Sequence, residues 1–449
     1  MTTPDKSTTP VKMNWLDKFI LNISPERAAK RFQFRNLIMR MYEGANTSEA
    51  RQWRWGMPLD ADRELPQYDR LTMVDRGRYE RANLGFLQGA IDDLVRYSLG
   101  PRGLFPESQS EDDAWKKEID DLFPLWSRMA DATGRFTFGE LQRLAVQMTV
   151  HDGDCGLIYV KDENRLPKLQ FIEGHLINDD GTMNNGTVDR PVVEGVITDG
   201  ANTPLGYRIL VKKENGQRRA ITVDAANFIH FYDPKRYTGT RGIPWFAASI
   251  NQGLDIFDIV AYEKHFLKNA SSKSLIETND SGHADSAADW INAAATPAEP
   301  VDAESGKLAP GVVEEKLESG TIVYHRANAG HDLKAFQFDR PTAAFRDFID
   351  WLESDIYLNL GMPANWKNIH KERGATLRAA MAKANRRFEE IAVLVENRIC
   401  FPSWNWLTFE AGRLKITRPR PKDWHKVVWY GPALSTVDAG RDAKANLRY

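Results

Sequence analysis

Apolar residues recur at helical spacing in several long stretches of this chain and cluster at strand length in others. Residues 69–99 set Leu71, Leu84, Leu87, Ile91 and Leu94 among arginines, which predicts one long helix stopped by Gly100-Pro101-Arg102-Gly103. Residues 113–126 predict a second helix, interrupted near Pro124. Residues 137–151 predict a third, with Phe138, Leu141, Leu144 and Met148 in register. His151 to Gly156 reads as a turn and 157–161 as a strand. From 168 to 223 short apolar runs alternate with turn residues, as in a small, largely antiparallel sheet unit. Phe228-Ile229-His230-Phe231-Tyr232 suits a buried strand. A polar loop over 233–242 follows, and then Pro244, placed where a first helical turn accepts proline. A helix is predicted over 245–270.

The pattern then changes. Residues 275–278, 320–325 and 333–338 read as strands, and 279–315 are rich in Ala, Asp, Ser, Gly and Pro. A second long helix begins near Pro341, carries Phe345, Phe348, Ile349, Leu352, Ile356 and Leu360, and ends at Gly361-Met362-Pro363. Two long helices thus bracket a small β-containing insertion. A polar loop over 363–374 leads to a helix over 375–399 that is rich in Ala and Arg and broken by Pro402. Residues 413–423 predict an exposed basic loop. At the other end, 1–11 suit disorder, 14–23 a short amphipathic segment, and 25–42 a basic helix, either a solvated face or a nucleic-acid contact. Helices followed by strands indicate an α+β fold and not a doubly wound sheet.

Composition narrows the partners. With 60 Lys+Arg against 62 Asp+Glu the formal charge is -2, so the protein does not grip nucleic acid by overall charge. Letting nucleic acid slide past remains compatible with it. Two distant cysteines, Cys155 and Cys400, make no metal spacing or disulfide framework and suit packed thiols in cytosol-like, reducing conditions. No run approaches the length of a membrane helix, so no membrane partner is expected. The 13 tryptophans suit a heavily packed core, and large aromatics also recur at contacts between subunits.

Catalytic patterns are missing. His370-Lys371-Glu372 is not HExxH, His230 and Asp233 are separated by aromatics, and His325 and His331 straddle a loop. There is no GxSxG and no GxxxxGK[ST]. Thr238-Gly239-Thr240-Arg241-Gly242 reads as a loop whose glycines allow positive φ and close packing. Asp152-Gly153-Asp154 resembles a fragment of a calcium loop without its remaining ligands, and a helix-ending turn accounts for it better. No cofactor, metal or catalytic residue is expected, which points to a structural or assembly role.

The run HFYDPKRYTGTRGIPWFAASINQGLDIFDIVAYEKHFLKNASSKS, starting at His230, resembles the signature of lambda-family bacteriophage portal proteins. Other blocks agree in order: Arg81-Ala82-Asn83, GPRGLFP from Gly100, the DGD turn at Asp152, Phe338-Asp339-Arg340-Pro341, LGMP from Leu360, the helix over 375–387, and Trp429-Tyr430-Gly431-Pro432 followed by Val437-Asp438. Two departures stand out. Glu372-Arg373-Gly374-Ala375-Thr376 replaces a usual tyrosine-serine-serine stretch, and the sequence stops soon after Val437-Asp438, where family members generally continue into crown-like helices.

The resemblance implies a portal-like α+β subunit. Residues 1–242 would be the N-terminal arm and α/β wing, 243–270 and 341–361 two stem helices, and 271–340 a clip. Residues 362–374 would hold a tunnel loop, and 375–449 a helical C-terminal region. It also implies a homo-oligomeric ring, typically a dodecamer, at a unique capsid vertex of the virion, assembled in host cytoplasm. Terminase large subunit would drive double-stranded DNA through it, and capsid or scaffold protein and head–tail connector proteins would attach to it. Lys367, His370, Lys371 and Arg373 are the candidates for weak, sequence-blind contact with DNA. Another phage head protein, such as a capsid or head-completion protein, is the alternative, followed by a nucleic-acid-processing enzyme.

Overall fold

The computed structural model describes residues 59–433 apart from 164, 180–185, 188–189, 213–215, 273–274, 280–330 and 336–341. The expectations for 1–58, for a strand at 320–325 and for 434–449 lie outside these residues. Everything below belongs to the unit Asp60–Tyr449.

Among the described residues, eight helices longer than one turn carry the core: α1 Gln67–Asn83, α2 Gly85–Leu99, α3 Asp113–Arg128, α4 Phe138–His151, α5 Ile250–Ser272, α6 Ala343–Asn359, α7 Gly374–Val395 and α8 Phe401–Arg413. The single helix expected over 69–99 is two, because Leu84 is extended at φ -103 and ψ 99. Just before it the Asn83 side chain donates to Tyr79 O at 2.7 Å, an acceptor the helical ladder would otherwise use. The following glycine weakens continuation further.

Proline gives two more corrections. α3 opens on Asp112, which accepts from Ala114 N and Trp115 N, and then runs through Pro124 to Arg128. An interior proline costs about 3 kcal/mol. Burying Trp115, Ile119, Phe123 and Trp126, one stripe of this helix, contributes roughly 1.5–3 kcal/mol each, so packing wins. Pro402 likewise breaks nothing. Glu396–Cys400 forms a π turn between α7 and α8, which re-phases the ladder just before the proline.

α4 matches its expected span because the signal is local. Glu140 N donates to Thr137 Oγ1 at 3.3 Å, and Thr137 N donates back to Glu140 Oε2 at 2.8 Å, a reciprocal cap. α5 starts later than expected. Trp245 N donates to Val150 O at 3.0 Å, and Trp245 and Phe246 are buried, so this segment is a clamp onto α4 before the helix begins.

Among the described residues, four antiparallel sheets accompany these helices. β1 Phe105–Ser108 pairs β12 Val427–Tyr430. A three-stranded sheet has the order β3-β2-β9, with β2 Asp154–Lys161, β3 Pro167–Glu173 and β9 Phe228–Tyr232. A five-stranded sheet runs β4 Gly186–Thr187, β5 Arg190–Val193, β6 Val196–Thr198, β7 Pro204–Lys212 and β8 Arg218–Asp224 in sequence order, around a small core that includes Ile177, Val196, Tyr207 and Ile209. β10 Leu275–Asn279 and β11 His331–Ala335 form a ribbon, Leu275 opposite Ala335 and Asn279 opposite His331.

The tryptophans divide between core and surface. Phe123 sits among Phe105, Trp126, Phe138, Trp404 and Trp429, with ring centroids 5.2–6.1 Å away. Trp351 on α6 is 65% exposed. Cys155 and Cys400 are free and buried, and burial pushes both thiols up. No helix among the described residues is long and apolar enough to cross a membrane.

Candidate functional site

α5 and α6 lie side by side, and the β10–β11 ribbon stands between them in sequence. Ile250, Ile256, Leu352, Ile356 and Leu360 are buried in the main core, and Gln252 Nε2 donates to Asp355 Oδ2 across the pair at 3.2 Å. Asn359 Nδ2 donates to Ser249 Oγ at 2.9 Å. The outward faces carry exposed aromatics among charged residues: Tyr262 is 73% exposed, and Phe348 stacks on Trp351 at 6.1 Å.

After α6 the chain reverses at Gly361, whose φ is +83, and enters the polar loop. That loop is not loose. Residues Trp366–Lys371 form a short 3-10 segment. Trp366 is buried, donates its indole N–H to Asp93 Oδ2 at 2.9 Å, and meets Tyr97 and Phe388 edge-on. The four residues expected to face DNA are thereby divided. Lys367 is held by Asp350 at 2.6 Å and by Glu353, both on α6. Burial opposes its charge, but the two carboxylates outweigh it and raise its pKa. His370, Lys371 and Arg373 are exposed on the rim, with no ion pair among the described residues.

Behind this region two glycine turns that the sequence reading left as packing features meet. Gly153, at φ +93, follows α4, and Gly242 precedes the clamp into α5. A Cβ on Gly242 would come 2.0 Å from Gly153 O, so close packing requires glycine there. The contact brings Asp154 to Arg241, both buried. Arg241 Nε and Nη2 donate to Asp154 at 2.6 and 3.0 Å. Its other N–H groups donate to the carbonyls of Ile177, Glu194 and Gly174, each at 2.7 Å. All five guanidinium donors are used. Asp154 also accepts from Gly242 N and lies 3.2 Å from His230 Nε2. Burial works against the Asp154 charge, but Arg241 and His230 outweigh it and hold the carboxyl well below its usual range.

A second ion pair adjoins the first. Arg78 of α1 donates to Asp152 and Glu173 and lies 3.0 Å from His175 Nδ1. Asp152, Glu173 and His175 have ligand atoms within 4.8 Å of one another. The Arg78 guanidinium already sits among them, so this cluster does not suit a metal ion. His151 Nδ1 lies 2.7 Å from Asp152 Oδ1, and its Nε2 lies 2.6 Å from Arg81 Nη1. Nothing here pairs a nucleophile with an open pocket. The signal for the Asp154–Arg241 pair was present in the DGD and RGIPW blocks, but separately.

No curated protein sequence matches the chain. Solved structures similar to it include the neck of a native gene transfer agent particle computed with twelve-fold symmetry (16% identity, 85% of this chain and 88% of that one, TM-score 0.48). The virion of a native gene transfer agent particle is another (16%, 87% and 90%, TM-score 0.47). An HK97 family phage portal protein from Corynebacterium diphtheriae is more distant (11%, 72% and 91%, TM-score 0.30). Residues 46–391 match the family model described as phage portal protein, lambda family. The chain therefore belongs to the lambda family of phage portal proteins, structural components of the virion and not enzymes.

Proposed function

We propose that copies of this chain close into a ring, read as a dodecamer, at one capsid vertex. Terminase large subunit packages double-stranded DNA through the central hole, and the DNA later leaves by the same route. The observation that carries this is the α5–α6 pair, packed side by side and rooted in the core, with the β10–β11 ribbon between them in sequence. In this reading α5 and α6 are the stem, residues 271–340 the clip that meets terminase and then head–tail connector proteins, and residues up to 242 the wing against capsid or scaffold protein.

The chemistry supports the role. DNA carries a charge about every 1.7 Å, and a channel that bound it tightly would stall it. His370, Lys371 and Arg373 offer exposed, unpaired donors without a pocket, which suits weak contact with phosphate; Lys367 braces the loop instead. A ring needs two different faces of each subunit to meet. Tyr262, Phe348 and Trp351 supply exposed aromatic area on the stem for such a contact. Electron-microscope images of the purified full chain test the proposal. Top views with a central hole and countable symmetry are expected; particles that stay single at high concentration, and also in the presence of capsid and scaffold protein, would overturn it.

A further inference from the structure

We propose that the groove between the loop at Lys235 and helix α7 is a second phosphate-backbone site, distinct from the rim of the polar loop. The inference rests on the DNA-conducting reading above. The groove is open, about 520 Å³ in volume, and its α7 wall is formed by Ala379, Ala382, Lys383, Arg386, Arg387 and Glu390, one stripe at helical spacing. Lys235 faces them from the loop after β9. Four cations line the groove against a single carboxylate.

They are not equivalent. Arg387 is built in place: its Nε donates to Leu360 O at 3.1 Å, its guanidinium lies 4.4 Å over the Trp245 ring, and Nη1 donates to Glu390 at 3.2 Å. Gly361 makes room for it, since a Cβ there would meet Arg387 Cδ at 2.8 Å. Lys235 is paired with Asp233 at 2.7 Å. Lys383 and Arg386 are exposed and have no hydrogen bond or ion pair among the described residues. An incoming anion thus finds one pre-oriented guanidinium and two unneutralised side chains.

The floor decides what kind of anion. Ala379 and Ala382 offer only methyl groups, no aromatic side chain is among the lining residues, and the Trp245 ring is covered by Arg387. Protein partners hold on through buried aromatic or aliphatic anchors, for which this groove has no pocket. A phosphodiester backbone needs only charge and close approach, and small floor residues allow both.

The test uses the full chain and a short labelled DNA duplex of mixed sequence, titrated between about 50 and 200 mM salt. The double variant Lys383→Gln with Arg386→Gln is expected to bind roughly tenfold more weakly at low salt, and its slope of log affinity against log salt to fall by about 2. Glu390→Gln, which removes the lining carboxylate, is expected to tighten binding, a gain that misfolding cannot imitate. An unchanged slope in the double variant, or no gain in Glu390→Gln, would overturn the proposal. So would polyglutamate competing as well as DNA at equal charge, which would assign the groove to an acidic protein. Images of the same samples separate the two readings: rings with unchanged DNA binding sink the groove alone, whereas absence of rings sinks the channel.

Discussion

The joint around Arg241 and the rim beyond Trp366 use the same chemical groups to opposite ends. At the joint every donor of Arg241 has an acceptor inside the chain, and Asp154 is saturated in return. At the rim, His370, Lys371 and Arg373 are exposed and have no ion pair among the described residues. A charge saturated within one chain holds that chain's shape. A charge left open on the surface is available to something else. Counting arginines and lysines cannot separate the two uses; asking what each one touches does.

The sharpest way to break the contrast is Arg241→Ala. It strands the buried Asp154 carboxylate, and unfolding free energy is expected to fall by about 3–5 kcal/mol, read from denaturant midpoints. A loss under 1 kcal/mol would mean the joint is ornamental. Gly242→Ala comes next. Its new Cβ meets backbone at 2.0 Å, which only a shift of the α4–β2 turn relieves, at about 1–3 kcal/mol by the same measurement.

Glu80 sharpens the contrast because it is buried yet has no partner for either carboxylate oxygen. It faces Gly253 of α5, where a Cβ would meet its Oε2 at 2.3 Å. Burial pushes its pKa up to about 8, with Arg76 pulling weakly the other way. The folded protein therefore holds a proton that the unfolded chain releases. Stability is fully present below the unfolded value, near 4.5, and is lost as pH rises towards about 8. The slope reaches at most about 1.4 kcal/mol per pH unit, and Glu80→Gln is expected to flatten it in melts run across that window. Retention of the slope in the variant would move its cause elsewhere.

The smallest effect on stability belongs to the rim. Lys371→Gln with Arg373→Gln is expected to leave unfolding free energy within about 0.5 kcal/mol of the parent. The same variant should lower the salt slope of duplex binding by about 2. A stability loss like that of Arg241→Ala would erase the distinction between the two regions.

What could be read from the sequence follows from how local each cause is. α4 was legible because its cap, Thr137 with Glu140, lies within four residues. The paired long helices and the ribbon ends were legible from apolar spacing on either side of a composition change. The continuity of the chain through Pro124 and Pro402 was not, because packing in one case and a π turn in the other outweigh the local rule. Asp154 and Arg241 stand 87 positions apart with strands between them, so nothing in their spacing announces a pair. Lys367 was visible as a cation, but not as one claimed by Asp350 and Glu353 on the preceding helix.

The β10–β11 ribbon has a practical consequence. It holds Asn279 opposite His331, about 4.8 Å apart, one strand spacing, where the chain leaves the ribbon and where it returns. Closing a longer loop adds only about 0.6 kcal/mol for each doubling of its length. Shortening or lengthening the sequence between these two residues is therefore expected to change stability little, which makes it the place to vary chain length without unfolding the protein.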